Sequence, residues 1–310
     1  MADFNHYTVM KQEAVDALEC QSGKVYVDCT LGGGGHSELI LERISPDGKL
    51  YAFDIDDEAI DFASQRLSKY NNLTIIKDSY TNIKSALKTY GVEKITGGVL
   101  LDLGASYHQL TKQERGFSFS KEAPLDMRFN MSADFTAYDV VNNYKEDELV
   151  KIFSEYGEER FSKRIAKSIV EKRKLTPIKT TTELAQLIVD CTPRIKTNIH
   201  PATRVFQAIR IEVNNELKNV KKVLSDVLEL LEYGAIISVI SFHSLEDRIV
   251  KRFFKYEAQK CRCNEMICKC EPPRIELVNR KPIVASDAEV KENPPSRSAK
   301  LRVVRYIKQN

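Results

Sequence analysis

The chain has 310 residues, 42% of them hydrophobic and 29% charged, and its formal net charge is only +3. This composition excludes a disordered chain, and no apolar run approaches the ~20 residues that a membrane span requires. Seven cysteines, an odd number in a chain long enough to build a core without disulfides, favour a reducing, cytoplasmic location. The N-terminal residues lack the apolar segment of a secretory signal, which agrees with that expectation.

The N-terminal third of the chain alternates between short apolar runs and amphipathic segments with helical spacing. The apolar runs are residues 25–29, 50–54, 73–76 and 98–103. Strands that alternate with helices in this way predict βαβ units and a parallel sheet. Because each run is apolar throughout, we expect helices to cover both faces of that sheet.

The strand pattern stops in the middle of the chain and returns in its last third. Residues 145–210 contain helical patterns without intervening strands, which predicts an inserted all-helical domain at 109–210. Residues 1–108 and 211–310 then form one discontinuous domain. The predicted fold is α/β, a Rossmann-like core interrupted by a helical insertion.

The small net charge is an average over unlike segments. Residues 1–108 carry a net charge of −6 and residues 211–250 carry −3, whereas residues 109–210 carry +4 and residues 251–310 carry +8. Arg160 to Lys179 alone hold eight basic residues and one acidic residue. An acidic body with two basic segments favours a polyanionic partner such as RNA, and solvated helix faces are the alternative.

A glycine-rich turn, Leu31 to Gly35, follows the first strand and precedes a helix. It does not fit a phosphate-binding P-loop, which needs Gly-Lys-Ser/Thr at its end. Asp54 ends the second strand about 20 residues later, where a carboxylate can bind the hydroxyls of a ribose. Nicotinamide dinucleotides and S-adenosylmethionine both carry that ribose. The third glycine of the dinucleotide motif falls on Ser37, which favours S-adenosylmethionine and leaves the dinucleotide as the alternative.

The ends of the third and fourth strands supply further candidates. Tyr80 follows strand three, where it can stack on an adenine, and Asp102 ends strand four, facing the crevice in which such sheets bind ligands. Gly104 indicates close approach of a ligand to the backbone. An ordinary strand-terminating loop and a helix cap are the alternative interpretations of these positions.

Four cysteines lie within ten residues as Cys261-x-Cys263-x₄-Cys268-x-Cys270. Four thiolates can complete a tetrahedral zinc site, but structural zinc sites usually use C-x₂₋₄-C spacing. The tighter C-x-C pairs favour reduced thiols on a mobile loop, so the sequence alone assigns no metal to this protein.

Long stretches of the chain resemble a known family. They include DCTLGGGGHS, DLGAS, RGFSF, PLDMRFN, YGEERFSKRIA, HPATRVFQAIRIEVNNEL, ISFHSLEDRIVKRFF and RSAKLRVVRY. In these segments, which span nearly the whole chain, the sequence is similar to the MraW or RsmH family. Its members are S-adenosylmethionine-dependent methyltransferases that modify N4 of a cytosine in the decoding region of 16S ribosomal RNA. The resemblance implies a class I methyltransferase core and an RNA substrate within the small ribosomal subunit, with no DNA or membrane partner.

The resemblance also implies a methyl-donor site. The corresponding residues here are Gly34, Gly35, His36, Asp54, Tyr80, Asp102 and Gln109.

For catalysis, the amine of cytosine is a poor nucleophile, because its lone pair is delocalised into the ring. We expect Asp102 to accept its protons and His243 to take up the released proton. The alternative for His243 is a structural role at the start of the helix that begins at Leu245. Two rival functions stay open, a non-catalytic ribosome assembly factor that binds S-adenosylmethionine and an NAD-dependent oxidoreductase.

Overall fold

The computed structural model describes residues 7–106, 109–110, 112–193, 200–261, 263 and 270–308. The chain divides into two compact units. The first, which we call the sheet unit, comprises Met1–Gly104 and Leu217–Asn310, and the second, the helical unit, comprises Ala105–Glu216. The helical unit extends a few residues beyond the predicted insertion, 109–210, at each end.

Eight strands are described in the sheet unit. They are β1 (Val25–Asp28), β2 (Lys49–Asp54), β3 (Leu73–Lys77), β4 (Gly98–Asp102), β5 (Ile236–Ser241), β6 (Ile275–Leu277), β7 (Ile283–Val284) and β8 (Lys300–Tyr306). Their order is β3-β2-β1-β4-β5-β8-β6, with β7 also paired to β8. Strands β1 to β5 are parallel to their neighbours in that group, whereas β8 runs antiparallel to β5 and β6. This topology confirms the predicted α/β, Rossmann-like core.

Twelve helices are described. They are α1 (Lys11–Asp16), α2 (Gly35–Ile44), α3 (Asp57–Arg66), α4 (Ile83–Thr89), α5 (Ala137–Asn143), α6 (Glu146–Glu155), α7 (Ser162–Leu175), α8 (Thr181–Cys191), α9 (Thr203–Asn214), α10 (Glu216–Leu230), α11 (Ser244–Glu257) and α12 (Asp287–Glu292). Within the described part of the chain, none of them combines the length and the apolar character needed to cross a bilayer.

Both faces of the sheet are covered by packed apolar side chains. Val99 and Leu101 belong to one core cluster and Leu100 belongs to another, because successive residues of a strand point to opposite faces. The first cluster includes residues of α4, α10 and α11, and the second includes residues of α1, α2 and α3. β4 is therefore apolar throughout because both of its faces are buried, as the sequence predicts.

The helical unit has its own core. Its buried centre is formed by side chains from α5 to α9, among them Val140, Phe153, Ile169, Ile188 and Ile209. Ordinary amphipathic spacing on each helix is sufficient to build this core without a sheet.

Candidate active site

Three carboxylates lie at the same edge of the parallel sheet. Asp28 pairs in register with Ala52 of β2, two residues before Asp54. On its other side Asp28 pairs with Leu100 of β4, two residues before Asp102. The carboxyl ends of three adjacent strands therefore place Asp28, Asp54 and Asp102 around one crevice, the position at which open α/β sheets bind ligands.

The glycine-rich turn begins α2 and is shaped by the N-terminal segment. Gly34 has a φ of 75° and is the N-cap of α2, a left-handed conformation that favours glycine. A Cβ atom at Gly35 would lie 1.9 Å from Thr8 Oγ1 and 2.9 Å from Thr8 Cβ. Gly35 is therefore required by the packing of Thr8, a reason that the sequence pattern did not reveal.

Asp28 is fully buried beneath this turn and organises it. Ser37 Oγ donates to Asp28 Oδ2 at 2.7 Å, and the backbone N–H of Thr30 donates to Oδ1 at 3.0 Å. Thr30 Oγ1 in turn accepts the N–H of Asp102 at 2.7 Å. Burial raises the pKa of Asp28 to about 6 despite these donors. Sequence reasoning missed this residue, although a carboxylate that ends an apolar strand and is followed by Thr and Ser was a signal for it.

Asp54 is held by the backbone that surrounds it. Its Oδ2 accepts the N–H of Gly32 at 2.8 Å, and its Oδ1 accepts those of Ile55 at 2.8 Å and Asp56 at 3.0 Å. Burial raises the pKa of Asp54, and the three backbone donors offset this only in part. A carboxylate can accept about four hydrogen bonds, so Oδ2 retains capacity for a ligand hydroxyl.

Asp102 differs from Asp54 in the hydrogen bonds that its carboxylate accepts. Among the described residues, none donates a hydrogen bond to its buried Oδ1. Its Oδ2 lies 3.8 Å from His36 Nδ1, and His36 Nε2 lies 3.1 Å from the carbonyl oxygen of Val9, which can only accept. Burial, followed by the charges of Asp28 and Glu246, raises the pKa of Asp102 well above its ordinary value. The site therefore contains a buried acceptor oriented by its neighbours but not satisfied by them.

Tyr80 is half-buried at the same edge of the sheet. Lys77, the last residue of β3, pairs with Asp54, so the chain that follows it leads directly to Tyr80. Tyr80 begins a 3₁₀ turn, Tyr80–Asn82, and packs against the core cluster beneath the sheet. Asp78 fixes this turn, because its Oδ1 accepts from the N–H of Ser79 at 2.7 Å.

His243 is the N-cap of α11, which begins one residue before the predicted position. Its Nδ1 faces the backbone N–H of Glu246 at 3.5 Å, and Glu246 Oε2 accepts the N–H groups of His243 and Phe242 at 3.4 Å and 3.0 Å. His243 Nε2 lies 3.2 Å from Glu246 Oε1 but is not aligned for a hydrogen bond. These contacts agree with a structural role for His243 at the start of α11. A role for His243 in proton transfer stays a prediction.

Gln109 lies in the helical unit. Its Oε1 accepts the N–H of Ser106 at 3.0 Å, and its own N–H donates to Ser106 Oγ at 3.2 Å. Only 7% of this residue is exposed. The contact of Gln109 with a methyl donor stays a prediction. The candidate residues of the sheet unit, in contrast, lie at one edge of the sheet.

The basic residues of the helical unit fall into two groups. Arg164, Lys167 and Lys172 are exposed on α7. Arg173 is half-buried and donates to the carbonyl oxygen of Val141 at 2.6 Å, so it stabilises the unit. Only the exposed group is available to a partner.

Five basic side chains of residues 251–310 form ion pairs within the sheet unit, namely Arg274, Lys300, Arg302, Arg305 and Lys308. Glu257 and Glu271 already count in the net charge of +8, so only the pairs with Asp247 and Glu19 reduce that excess. Burial raises the pKa of Asp247, but Arg302 at 2.7 Å and Lys300 at 3.4 Å outweigh it and hold that pKa below its ordinary value. The segment therefore offers a partner less charge than its composition indicates.

Comparison with known proteins assigns the family. The model of the MraW methylase family matches residues 3–307. The chain belongs to the MraW methylase family. This membership confirms the resemblance found in the sequence and the predicted methyltransferase class.

Two relatives share about half of its residues. A protein from Caldicellulosiruptor bescii is 49% identical over 307 residues, which cover 98% of this chain and 100% of the relative. A protein from Geobacter is 51% identical over 313 residues, which cover 99% and 100%. Both are named Ribosomal RNA small subunit methyltransferase H. Among solved structures, an rRNA methylase from Streptococcus thermophilus is 12% identical with a TM-score of 0.43, covering 96% of this chain and 95% of that chain.

Proposed function

We propose that this MraW methylase transfers a methyl group from S-adenosylmethionine to N4 of a cytidine in the decoding region of 16S ribosomal RNA. The observation that carries the chemistry is the buried Oδ1 of Asp102, an acceptor without a donor at the edge of the sheet. The names of the relatives, which specify the RNA of the small ribosomal subunit, support the substrate. The site of action is expected to be the cytoplasm.

The charge of the crevice supports the methyl donor. Asp28, Asp54 and Asp102 surround it, burial raises the pKa of all three, and their ionised forms are favoured when a cation lies beside them. S-adenosylmethionine carries a sulfonium and an ammonium cation, which these carboxylates attract in a weakly screened environment. The diphosphate of a nicotinamide dinucleotide is repelled by the same groups. The crevice therefore favours the methyl donor over the oxidoreductase alternative.

Each donor-binding residue has a distinct task. Asp54 Oδ2 accepts a ribose hydroxyl, and Tyr80 stacks on the adenine. Gly34 and Gly35 allow close approach to the start of α2, and His36 lies beside the Asp102 carboxylate. These residues hold the donor with its reactive end toward Asp102.

S-adenosylmethionine supplies an electrophilic methyl group when bound, and the chain supplies orientation and a proton acceptor. Asp102 Oδ1 accepts an N–H of the cytosine amine, which turns the nitrogen lone pair toward the methyl group. The raised pKa of Asp102 makes its carboxylate a stronger base than an exposed aspartate. After transfer the surplus proton on N4 moves to Asp102 Oδ1. We assign this proton to Asp102 ahead of His243, because Nδ1 of His243 faces the backbone N–H of Glu246 in the first turn of α11.

RNA binding is assigned to the exposed cations of the helical unit. Arg164, Lys167 and Lys172 provide phosphate contacts that position the RNA without reading its bases. To reach a carboxylate in a crevice, the target cytidine has to leave its stack and turn toward the protein.

The test is mass spectrometry of nucleosides from 16S ribosomal RNA of cells that lack this protein. Wild-type chain restores an N4-methylcytidine species, whereas Asp102→Asn lowers the rate of methyl transfer in vitro by about 10²–10³-fold. Calorimetry of the same variant distinguishes a lost proton acceptor from lost donor binding. Asp16→Asn, a change at an exposed carboxylate, serves as the control.

Two results oppose the proposal. Restoration of any other modified nucleoside refutes the assigned base and atom. Normal donor binding without transfer to RNA or small subunits supports the non-catalytic assembly factor instead.

A further inference from the structure

The segment between α11 and β6 is fixed at both of its ends. The N–H of Arg274 donates to the carbonyl oxygen of Glu257 at 3.1 Å, and Arg274 Nε donates to Glu257 Oε2 at 2.7 Å. The N–H of Ile307, just beyond β8, donates to the carbonyl oxygen of Arg274 at 2.9 Å. One partly buried ion pair thus joins Glu257 and Arg274 at the two ends of this segment.

Three thiols meet in this segment. The sulfur atoms of Cys261, Cys263 and Cys270 all lie within 4.8 Å of one another. Cys261 Sγ and Cys263 Sγ are 3.7 Å apart. A disulfide requires about 2.05 Å, so this separation is not that of a bond between sulfurs. Thiolates at the corners of a tetrahedron around zinc, each about 2.3 Å from the ion, are about 3.8 Å apart.

We propose that Cys261, Cys263 and Cys270 bind a zinc ion through their thiolates. The C-x-C spacing argued against a metal, because usual zinc sites place two ligands on one C-x₂₋₄-C turn. Here the sulfur atom of Cys270 lies within 4.8 Å of those of Cys261 and Cys263, so convergence does not depend on that spacing. Cys268 lies outside the described residues, and the site is assigned to the three described thiols with a fourth position open to another ligand.

Sulfur ligation determines the class of ion. Soft thiolates select zinc, copper(I) or iron over magnesium and calcium, and zinc needs no change of oxidation state. Binding displaces the protons of the three thiols, so it strengthens as the pH rises. The ion would join Cys270 to Cys261 and Cys263, and its binding free energy would stabilise that arrangement. Its role is structural and separate from the proposed methyl transfer.

The experiment uses the full chain purified under reducing conditions without chelator. Elemental analysis is expected to give about one zinc ion per chain. The double variant Cys261→Ser, Cys263→Ser is expected to lose the zinc, whereas Cys191→Ser, at a half-buried thiol of α8, retains it. Cobalt added to the metal-free wild type is expected to give thiolate-to-cobalt charge-transfer absorption that the double variant lacks.

Folding is checked by circular dichroism and by binding of S-adenosylmethionine, which the double variant is expected to retain. Chelation of the wild type is expected to open residues 261–270 to protease and to leave the rest of the chain intact. The proposal fails if wild-type chain reconstituted with excess zinc retains none after desalting. It also fails if the double variant retains as much zinc as the wild type.

Discussion

The substitution Asp28→Asn tests whether a buried carboxylate beneath the glycine-rich turn makes stability depend on pH. Asp28 is fully buried, and its pKa is raised from 3.8 to about 6 by that burial. Asparagine preserves the shape of the side chain. Its oxygen can accept the N–H of Thr30, and its amide can donate to Ser37 Oγ.

The sign follows from proton binding. Between about pH 4 and pH 6 the folded chain holds a proton on Asp28 that the unfolded chain has lost, so the free energy of unfolding falls as the pH rises. The interval from 3.8 to about 6, at about 1.4 kcal/mol per pH unit, gives about 3 kcal/mol. The free energy of unfolding of Asp28→Asn, taken relative to that of wild type, should therefore rise by about 3 kcal/mol between acidic and neutral pH.

The assay is urea unfolding of both proteins across that pH range, with the difference in free energy taken at each pH. Asp54 and Asp102 are present in both chains, so most of their contribution cancels. Ser37→Ala is the opposing control, because it removes a donor that lowers the pKa of Asp28, and it should extend the loss of stability to higher pH. A difference between Asp28→Asn and wild type that stays constant with pH would refute the reasoning.

Three further predictions concern the turn, the ribose acceptor and the RNA surface. Gly35→Ala brings a methyl group against Thr8 and should lower the free energy of unfolding by about 1–3 kcal/mol, and Thr8→Gly in the same chain should recover most of it in urea titrations. Asp54→Asn weakens a charged hydrogen bond to the donor and should lower donor affinity by about 10- to 100-fold in calorimetry. Replacing three exposed cations of α7 with Gln should weaken RNA binding and flatten its salt dependence by about 0.7–0.9 per lost phosphate contact. That set is Arg164, Lys167 and Lys172.

These three predictions have matched comparisons. If Thr8→Gly fails to rescue Gly35→Ala, the steric cause is wrong. Asp16→Asn should leave donor affinity unchanged, and an equal loss there would contradict a specific role for Asp54. Neutralising three exposed cations of the sheet unit should alter RNA affinity less than neutralising the α7 set. The comparison set is Lys49, Lys69 and Lys88.

The fold was predictable because its main signals are local. The apolar run that ends at Asp102 could only be a strand buried on both faces, and the structure divides its residues between two cores. The ends of such strands then indicate which carboxylates meet, since the carboxyl ends of parallel strands share one edge. The positions of Asp54 and Asp102 at the ends of their strands are therefore evident from the sequence.

Contacts between distant segments were not predictable from local patterns. A Cβ atom at Gly35 would meet Thr8, which no local pattern connects to the turn, so this requirement for glycine is not evident from the sequence. The charge of the C-terminal segment was counted as available to RNA, whereas Arg302 pairs with Asp247 from a different element. The C-x-C spacing argues against a metal site, and it does not reveal that the sulfur atoms of Cys261, Cys263 and Cys270 lie within 4.8 Å of one another.

The different surroundings of Asp54 and Asp102 follow from the residue after each strand. Beyond Asp54 the chain leaves the sheet, so the N–H groups of Ile55 and Asp56 turn back to its carboxylate. Beyond Asp102 the sheet continues for one more hydrogen bond, because the N–H of Leu103 donates to the carbonyl oxygen of Ile240 at 3.0 Å. That N–H is therefore not available to the carboxylate of Asp102. Within the described part of the chain, Asp54 thus accepts three backbone hydrogen bonds and Asp102 Oδ1 accepts none, and this difference is the basis of the separate binding and proton-acceptor roles that we propose for them.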